Sequence, residues 1–142
     1  MRYLIAALAL AGAIVSTLAL RVHYSTDTAP CSIHERWDCG IVNHSSFAEI
    51  AHVPVAAVGI AGYILLGGLA LARWRFPLLL CSSIALGFAL RLTLLEEYLL
   101  QMWCLYCVIS QIVIGFMSLF SLGWFTAEYI TLRRARNAPS PS

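Results

Sequence analysis

The sequence predicts an all-α membrane protein: a four-transmembrane-helix bundle with one polar outer loop and a short interfacial helix between helices 1 and 2. Of its 142 residues, 61% are hydrophobic and only 11% are charged, and the mean hydropathy is +0.81. A chain of this composition cannot cover a water-soluble domain with polar side chains. Each helical crossing needs roughly 20 apolar residues, so this length accommodates about four crossings and one sizeable loop. The net charge of +2 gives no reason to expect a nucleic-acid partner.

Four apolar segments are predicted to form the spans, at residues 3–20, 54–72, 78–95 and 104–130. The first is longer than the apolar region of a cleavable signal peptide, usually about 7–15 residues, and no small-x-small cleavage site follows it. We therefore expect it to be retained as a helix. The polar loop at 22–53 contains a mixed segment, 40–50, that suits a short helix at the membrane interface. One domain, residues 1–132, is expected, followed by a basic, disordered cytoplasmic tail at 133–142.

The arginines predict how the bundle is oriented in the cell membrane. Six of the nine basic residues fall on one side of the four-span layout: Arg2, Arg73, Arg75, Arg133, Arg134 and Arg136. The positive-inside rule then places both termini and the turn at 73–76 in the cytoplasm. The loop at 22–53 and the connection at 96–103 face the extracytoplasmic side, where disulfides persist.

Four of the five cysteines fall on that outer side. Cys31 and Cys39 lie in the outer loop, and Cys104 and Cys107 form a C-x-x-C at the start of the fourth span. The C-x-x-C sulfurs lie one turn apart on the same helix face, and the helix N-terminus favours the thiolate of Cys104. An internal pair and a second pair on one face suit exchange through mixed disulfides.

The third span carries two further residues of interest. Cys81 lies early in it and is expected to be a small apolar packing residue rather than a redox residue. Arg91 lies near its outer end and is expected to snorkel or to form a structural ion pair with Glu96 or Glu97.

Two other interpretations of the cysteines remain open from the residues alone. The four outer cysteines can form two inert disulfides that staple the outer loops of a bundle with no enzymatic activity. They can also join histidines in a metal site, although the loop lacks the paired spacing typical of zinc, and no metal is expected. The available donors for such a site are Cys31, His34, Cys39, His44, Cys104 and Cys107.

The order of these motifs resembles the vitamin K epoxide reductase family over roughly residues 3–131. The resemblance rests on the loop cysteines, on Asn43-His44-Ser45-Ser46 after the second of them, on residues 54–63, and on Cys104-Leu105-Tyr106-Cys107. The analogous DsbB-type bacterial oxidases carry the two cysteine pairs in the reverse order. The resemblance is to the bacterial homologues, and since the chain ends soon after the fourth span, a stand-alone protein without a fused thioredoxin domain is expected.

That resemblance implies a quinone-linked thiol–disulfide oxidoreductase that supports disulfide bond formation. Electrons would come from a separate periplasmic protein of the thioredoxin fold and pass to a membrane quinone, ubiquinone or menaquinone. The implied catalytic residues are the four outer cysteines. Cys31 would exchange with the partner protein, Cys39 with Cys104, and Cys107 would lie next to the quinone.

The resemblance also implies three quinone-binding positions. Ser45, six residues after the second loop cysteine, matches the family's serine near the quinone pocket, although a loop hydroxyl also serves as a local cap. Val55 and Gln111 occupy positions where the animal enzymes carry an asparagine and a tyrosine that bind the quinone carbonyls. Gln111 retains a hydrogen-bond donor, whereas Val55 has none, which speaks against epoxide as a substrate.

Overall fold

Helices account for most of the chain in the computed structural model, which describes residues 1–25, 31 and 34–138. Its elements are α1 (Arg2–Tyr24), α2 (Cys39–Asn43), β1 (Glu49–Ile50), β2 (Val53–Pro54), α3 (Val55–Leu71), α4 (Arg75–Leu95) and α5 (Leu105–Arg136). A single π-helical turn, Glu96–Leu100, extends α4. The predicted all-α character is therefore confirmed.

Among the described residues, three helical segments are long and apolar enough to cross a membrane: Arg2–Tyr24, Arg75–Leu100 and Leu105–Arg136. The remaining long helix, α3, has 17 residues. At a rise of 1.5 Å per residue it is about 25 Å long, short of the roughly 30 Å hydrocarbon core. It ends early because Arg73 adopts a positive φ of 60° just beyond its last turn. Membrane-spanning length is thus established for three of the four predicted crossings.

The four long helices form a closed ring. α1 packs against α3 and α5, and α4 packs against α5 and α3. Tyr63 of α3 holds three of these helices together, because its ring covers Gly12 of α1 and its hydroxyl lies 2.8 Å from both the carbonyl and the Oγ of Ser110 in α5. The shared apolar core comprises Ile5, Ala9, Tyr63, Leu66, Ala70, Leu78, Ile114 and Met117.

The short helix after the outer loop is shorter than the predicted segment 40–50. Asp38 caps its start, accepting hydrogen bonds from the backbone N–H groups of Gly40 at 2.8 Å and Ile41 at 3.3 Å. The helix ends at Asn43, and β1 and β2 follow as an antiparallel hairpin. Positive φ angles of 51° at Ala51 and 66° at His52 form the turn of this hairpin. A backbone of this kind cannot continue a helix to residue 50.

The last helix runs further than predicted. α5 continues through Arg136, so the first four residues of the segment expected to be a disordered tail are helical. Arginine and alanine are good helix formers, and positive charges in the last turn interact favourably with the helix dipole. Residues 139–142 of the expected tail lie outside the described residues.

Candidate redox site

Three sulfur atoms meet at one end of the bundle. Cys31 and Cys39 are disulfide-bonded, and the Sγ of Cys104 lies 3.1 Å from that of Cys39. The three Sγ atoms all lie within 4.8 Å of one another, and the three residues are fully buried. A thiol in contact with one sulfur of a disulfide is the arrangement from which thiol–disulfide exchange proceeds.

Main-chain hydrogen bonds hold the loop against the C-x-x-C segment. The backbone N–H of Trp103 donates to the carbonyl of Arg36 at 2.8 Å, and the N–H of Asp38 donates to the carbonyl of Trp103 at 3.1 Å. The indole rings of Trp37 and Trp103 also contact each other, with centroids 6.1 Å apart. Because Cys39 directly follows Asp38, these bonds fix its position relative to the second cysteine pair.

The C-x-x-C pair lies at the start of α5, as predicted. Cys104 has an extended backbone with φ −100° and ψ 119°, and the helix begins at the next residue. The Cys107 thiol lowers the pKa of Cys104 by hydrogen bonding to its sulfur, and the backbone N–H groups of Cys107 and Tyr106 act in the same direction. Burial and the negative charge of Glu96 oppose the shift without reversing it. At neutral pH, a larger fraction of Cys104 is therefore the nucleophilic thiolate than for a cysteine with an ordinary pKa.

Asn43 lies between the two cysteine pairs and was not identified as a site residue from the sequence. Its Nδ2 donates to the carbonyl of Cys39 at 2.9 Å and approaches the Sγ of Cys104 at 3.6 Å. Its backbone carbonyl contacts Nδ1 of His23, whose Nε2 lies 3.4 Å from Glu49. The side chain is only 7% exposed. The only sequence signal for it is its place within the motif after Cys39, one helical turn further on.

A cavity of about 450 Å³ opens beside Cys107, between the four long helices. Its walls are mainly apolar, which is typical of sites that bind a small apolar molecule through a few polar contacts. Ser45, Val55 and Gln111 all line it, so the structure brings the three predicted quinone-binding positions together with Cys107. Cys81, expected to be a packing residue, also reaches its wall.

The three predicted binding positions differ in whether they offer a polar group to this cavity. The hydroxyl of Ser45 donates to the carbonyl of Val42 at 2.7 Å, so it serves as a local cap as well as a wall residue. The Oε1 atom of Gln111 accepts a hydrogen bond from the hydroxyl of Thr93, a second residue missed from the sequence. This bond leaves the amide N–H groups of Gln111 as donors for a bound molecule. Val55 contributes only an apolar surface.

The environment of Glu96 differs from the one that the sequence suggested. The sequence suggested an ion pair between Arg91 and Glu96 or Glu97, but Arg91 is exposed and forms no ion pair among the described residues. Glu96 is instead 5% exposed and reaches the cavity. Its carboxyl group lies beside Cys107 and the start of α5 at Cys104, close enough to interact electrostatically with both thiols. The π-helical turn that begins at this residue separates its surroundings from those of the exposed Glu97.

The donors considered for a metal site do not assemble. Within residues 1–25, 31 and 34–138, the single cluster of three possible ligands is Cys31, Cys39 and Cys104, and the first two are joined in a disulfide. His34 is exposed, and Nδ1 of His44 lies 2.7 Å from the carbonyl of Gly40. This arrangement leaves only one free thiol in the cluster.

Comparison with known protein families agrees with this geometry. A sequence model described as the vitamin K epoxide reductase family matches residues 3–122, which include both cysteine pairs, the wall of the cavity and most of α5. The three membrane-capable helices are consistent with a membrane location. With a match over most of its length, this protein belongs to the vitamin K epoxide reductase family.

Proposed function

We propose that this protein is a quinone-dependent thiol–disulfide oxidoreductase that takes electrons from a periplasmic thioredoxin-fold protein and supports disulfide bond formation. The main observation in support is that the Sγ atoms of Cys39 and Cys104 lie 3.1 Å apart. Cys107, one helical turn after Cys104, lines the cavity. Two inert structural disulfides would not leave a free thiol in contact with a disulfide. Family membership supports the same activity.

The proposed topology has four crossings, with α3 as the short one, and both termini in the cytoplasm. The arginines support this orientation, since those at the start of α1, at the end of α5 and in the turn before α4 lie at the end of the bundle opposite the cysteine pairs. Arg75 is anchored there by an ion pair with Glu128 and by the ring of Trp124, whose centroid lies 5.0 Å from its guanidinium. The cysteine pairs would then face the oxidising compartment.

The proposed electron transfer consists of two dithiol–disulfide exchanges, first between the partner and the loop pair and then between the loop pair and the C-x-x-C pair, and each exchange has two steps. A thiolate of the partner attacks Cys31, forming a mixed disulfide and releasing Cys39 as a thiolate, and the partner's second thiol then frees Cys31 as the partner disulfide forms. Cys39 next attacks Cys104 of an oxidised C-x-x-C pair, which releases Cys107. Attack by Cys31 on Cys39 restores the loop disulfide and leaves Cys104 and Cys107 reduced. The described arrangement, with the loop pair oxidised and the C-x-x-C pair reduced, corresponds to this last state.

Access of the partner requires movement of the loop cysteine. Cys31 is fully buried beside Cys39 and Cys104. A partner thiolate must approach the sulfur it attacks, so Cys31 has to become accessible before exchange. The main-chain bonds between Trp103 and the residues before Cys39 hold the junction between the two pairs.

The residues around the cavity fit a quinone, either ubiquinone or menaquinone. The apolar wall suits a ring and an isoprenoid tail, while Gln111 offers amide N–H groups. Glu96 has a buried carboxylate oxygen, Oε2, that forms no hydrogen bond within the part of the chain that the structure describes. When bound, a quinone supplies the oxidant that accepts two electrons and two protons. Cys107 would face it, and Ser45 and Val55 would shape the pocket. Val55 provides no hydrogen bond for reduction of an epoxide.

Replacing the cysteine next to the cavity tests the proposal. Purified protein is supplied with dithiothreitol in place of the partner and with ubiquinone-1 or menadione, and quinone reduction is followed by absorbance. We expect Cys107→Ala to abolish the enzyme-dependent rate, because the C-x-x-C disulfide can no longer form and the sulfur beside the cavity is gone. Ser83→Ala, at an exposed position outside the cavity, serves as the matched control and should retain the rate. Undiminished quinone reduction by Cys107→Ala would overturn the relay.

The partner can be identified by trapping. In a Cys39→Ala variant the lone Cys31 thiol attacks the disulfide of the oxidised partner, and because Cys39 is absent to displace the partner, the mixed disulfide should persist on non-reducing gels. We expect a thioredoxin-fold protein in this adduct and none in the Cys31→Ala control. An adduct that persists in the Cys31→Ala control would show that another cysteine receives the electrons.

A further inference from the structure

We propose that Glu96 is the proton carrier of this site: its carboxylate takes the proton of the Cys107 thiol as that sulfur is oxidised, and delivers it to the reduced quinone. This inference rests on the proposed quinone-linked function and assigns to Glu96 a role that family membership does not state. It would make Glu96 a catalytic residue, because its carboxyl group contacts a reacting sulfur.

The position of Glu96 is unusual for a carboxylate. Among the described residues that line the cavity, it is the only formally charged one. The other titratable groups of that wall are the thiols of Cys81 and Cys107 and the phenols of Tyr63 and Tyr106, and the wall has no lysine, arginine or histidine. A buried carboxylate without a cationic partner is costly, and such groups are concentrated at functional sites.

The carboxyl group is placed to receive one proton and to pass it on. It lines the same cavity as the Cys107 thiol and interacts with it electrostatically, and this thiol loses a proton when the C-x-x-C pair is oxidised. Its Oε2 atom is buried and has no hydrogen-bond partner among the described residues. An unsatisfied buried acceptor calls for an explanation. A hydroxyl of the reduced quinone, held in the same cavity, would satisfy it.

The electrons and protons balance with the groups already named. Oxidation of the Cys104 and Cys107 thiols forms one sulfur–sulfur bond and releases two electrons and two protons, and quinone reduction consumes both pairs. Glu96 carries the Cys107 proton. The Cys104 proton, lost when that thiolate forms, is released to solvent, and the second quinone oxygen takes one from solvent in return. No oxidant other than the quinone is required.

A purely structural role must be separated from this one. Glu96 also lies beside Cys104, so it could merely hold the start of α5. Glutamine keeps an oxygen acceptor and the same shape but cannot carry a proton, whereas aspartate keeps the carboxyl group at a shorter reach. The neighbouring Glu97 is exposed, so Glu97→Gln makes the same change in charge outside the cavity and serves as the matched control.

The first experiment uses no quinone. In a Cys81→Ala, Cys104→Ser background, the modification rate of Cys107 by the small neutral reagent methyl methanethiosulfonate is measured by mass spectrometry from pH 4 to pH 10. With Glu96 as general base, the rate at neutral pH should fall at least tenfold in Glu96→Gln. A carboxylate that only repels the Cys107 thiolate would instead make Glu96→Gln faster than its parent, and that result would overturn the proposal. The limb of the profile that follows ionisation of the carboxyl group should also disappear. Glu97→Gln should reproduce the pH profile of the parent, in which Glu96 is intact. Identical profiles for Glu96→Gln and its parent would overturn the proposal.

The second experiment measures a single turnover of the pre-reduced protein with menadione. We expect Glu96→Gln to reduce the maximal rate by about 100-fold or more, with the concentration of half-saturation changed less than threefold. Glu96→Asp should recover part of the rate if the carboxyl group acts, and equal loss in both variants would assign Glu96 a structural role only. The Cys107→Ala test reports separately on the relay, so a failure here leaves that result unaffected.

Discussion

The amide of Asn43 should accelerate exchange between the two cysteine pairs. Its Nδ2 points at the Cys104 sulfur at 3.6 Å and is buried away from competing water. Negative charge collects on that sulfur whenever it leaves or attacks, so the amide stabilises the charged state. Hydrogen bonds to charged groups contribute about 1.5–3 kcal/mol, and a contact this long belongs at the lower end. Because 1.4 kcal/mol corresponds to a factor of ten, Asn43→Leu should slow exchange by about tenfold.

The exchange can be measured without quinone. Fully oxidised protein is mixed with dithiothreitol, quenched in acid at successive times and alkylated, and mass spectrometry follows reduction of the Cys104–Cys107 pair. Cys39→Ala gives the background rate of direct reduction by the reagent. Asn43→Asp is the informative companion to Asn43→Leu, because it keeps the shape but places a negative charge beside the sulfur, and should be slower still.

The result that would refute this reasoning is equally specific. If Asn43→Leu transfers electrons within twofold of the wild-type rate, the amide does not stabilise charge on Cys104. If Asn43→Asp is as fast as the wild-type protein, the side chain does not face the sulfur during exchange. Circular dichroism of each variant controls for loss of the short helix that carries Cys39.

Two further predictions follow from the contacts. The Cys107 thiol is the main cause of the lowered pKa of Cys104, so Cys107→Ala should raise that pKa. Labelling of Cys104 by iodoacetamide should then be slower in the variant at neutral pH, but equally fast at a pH above the Cys104 pKa of both proteins. Superimposable pH profiles would contradict this. A Cβ at Gly12 would overlap the Tyr63 ring, so Gly12→Ala should lower the free energy of unfolding in detergent by about 1–3 kcal/mol. Gly115→Ala, where a Cβ meets nothing within 4 Å, is its control and should be neutral or slightly stabilising; equal effects would exclude the clash.

Sequence reasoning located the chemistry better than the surroundings that tune it. Cysteine spacing and the order of the motifs pointed to four residues, three of which meet within 4.8 Å. Asn43 was missed because its contact with Cys104 spans 61 positions, and only tertiary packing brings such groups together. Thr93 was missed for a similar reason, since nothing local distinguishes it from other hydroxyls in an apolar span.

The two adjacent glutamates show a second limit. Glu96 and Glu97 have the same chemistry and neighbouring positions, so composition cannot tell which one is buried. The π-helical turn that separates their environments has no sequence signature comparable to a cap or a glycine. The length of α3 depends likewise on the single positive φ at Arg73, a non-glycine residue for which that conformation is uncommon.

The hydrogen bonds between Trp103, Arg36 and Asp38 make the register of this site insensitive to side-chain identity. Only main-chain atoms take part, so most substitutions at these three positions leave the bonds intact. The side chain of Arg36 can therefore vary while the sulfur junction is preserved, whereas that of Asp38 also caps the short helix that carries Cys39. Changes in spacing have the opposite effect, because one residue inserted between Asp38 and Cys39 moves the Cys39 sulfur away from Cys104. Proline at 38 or 103 removes one of the two backbone N–H donors.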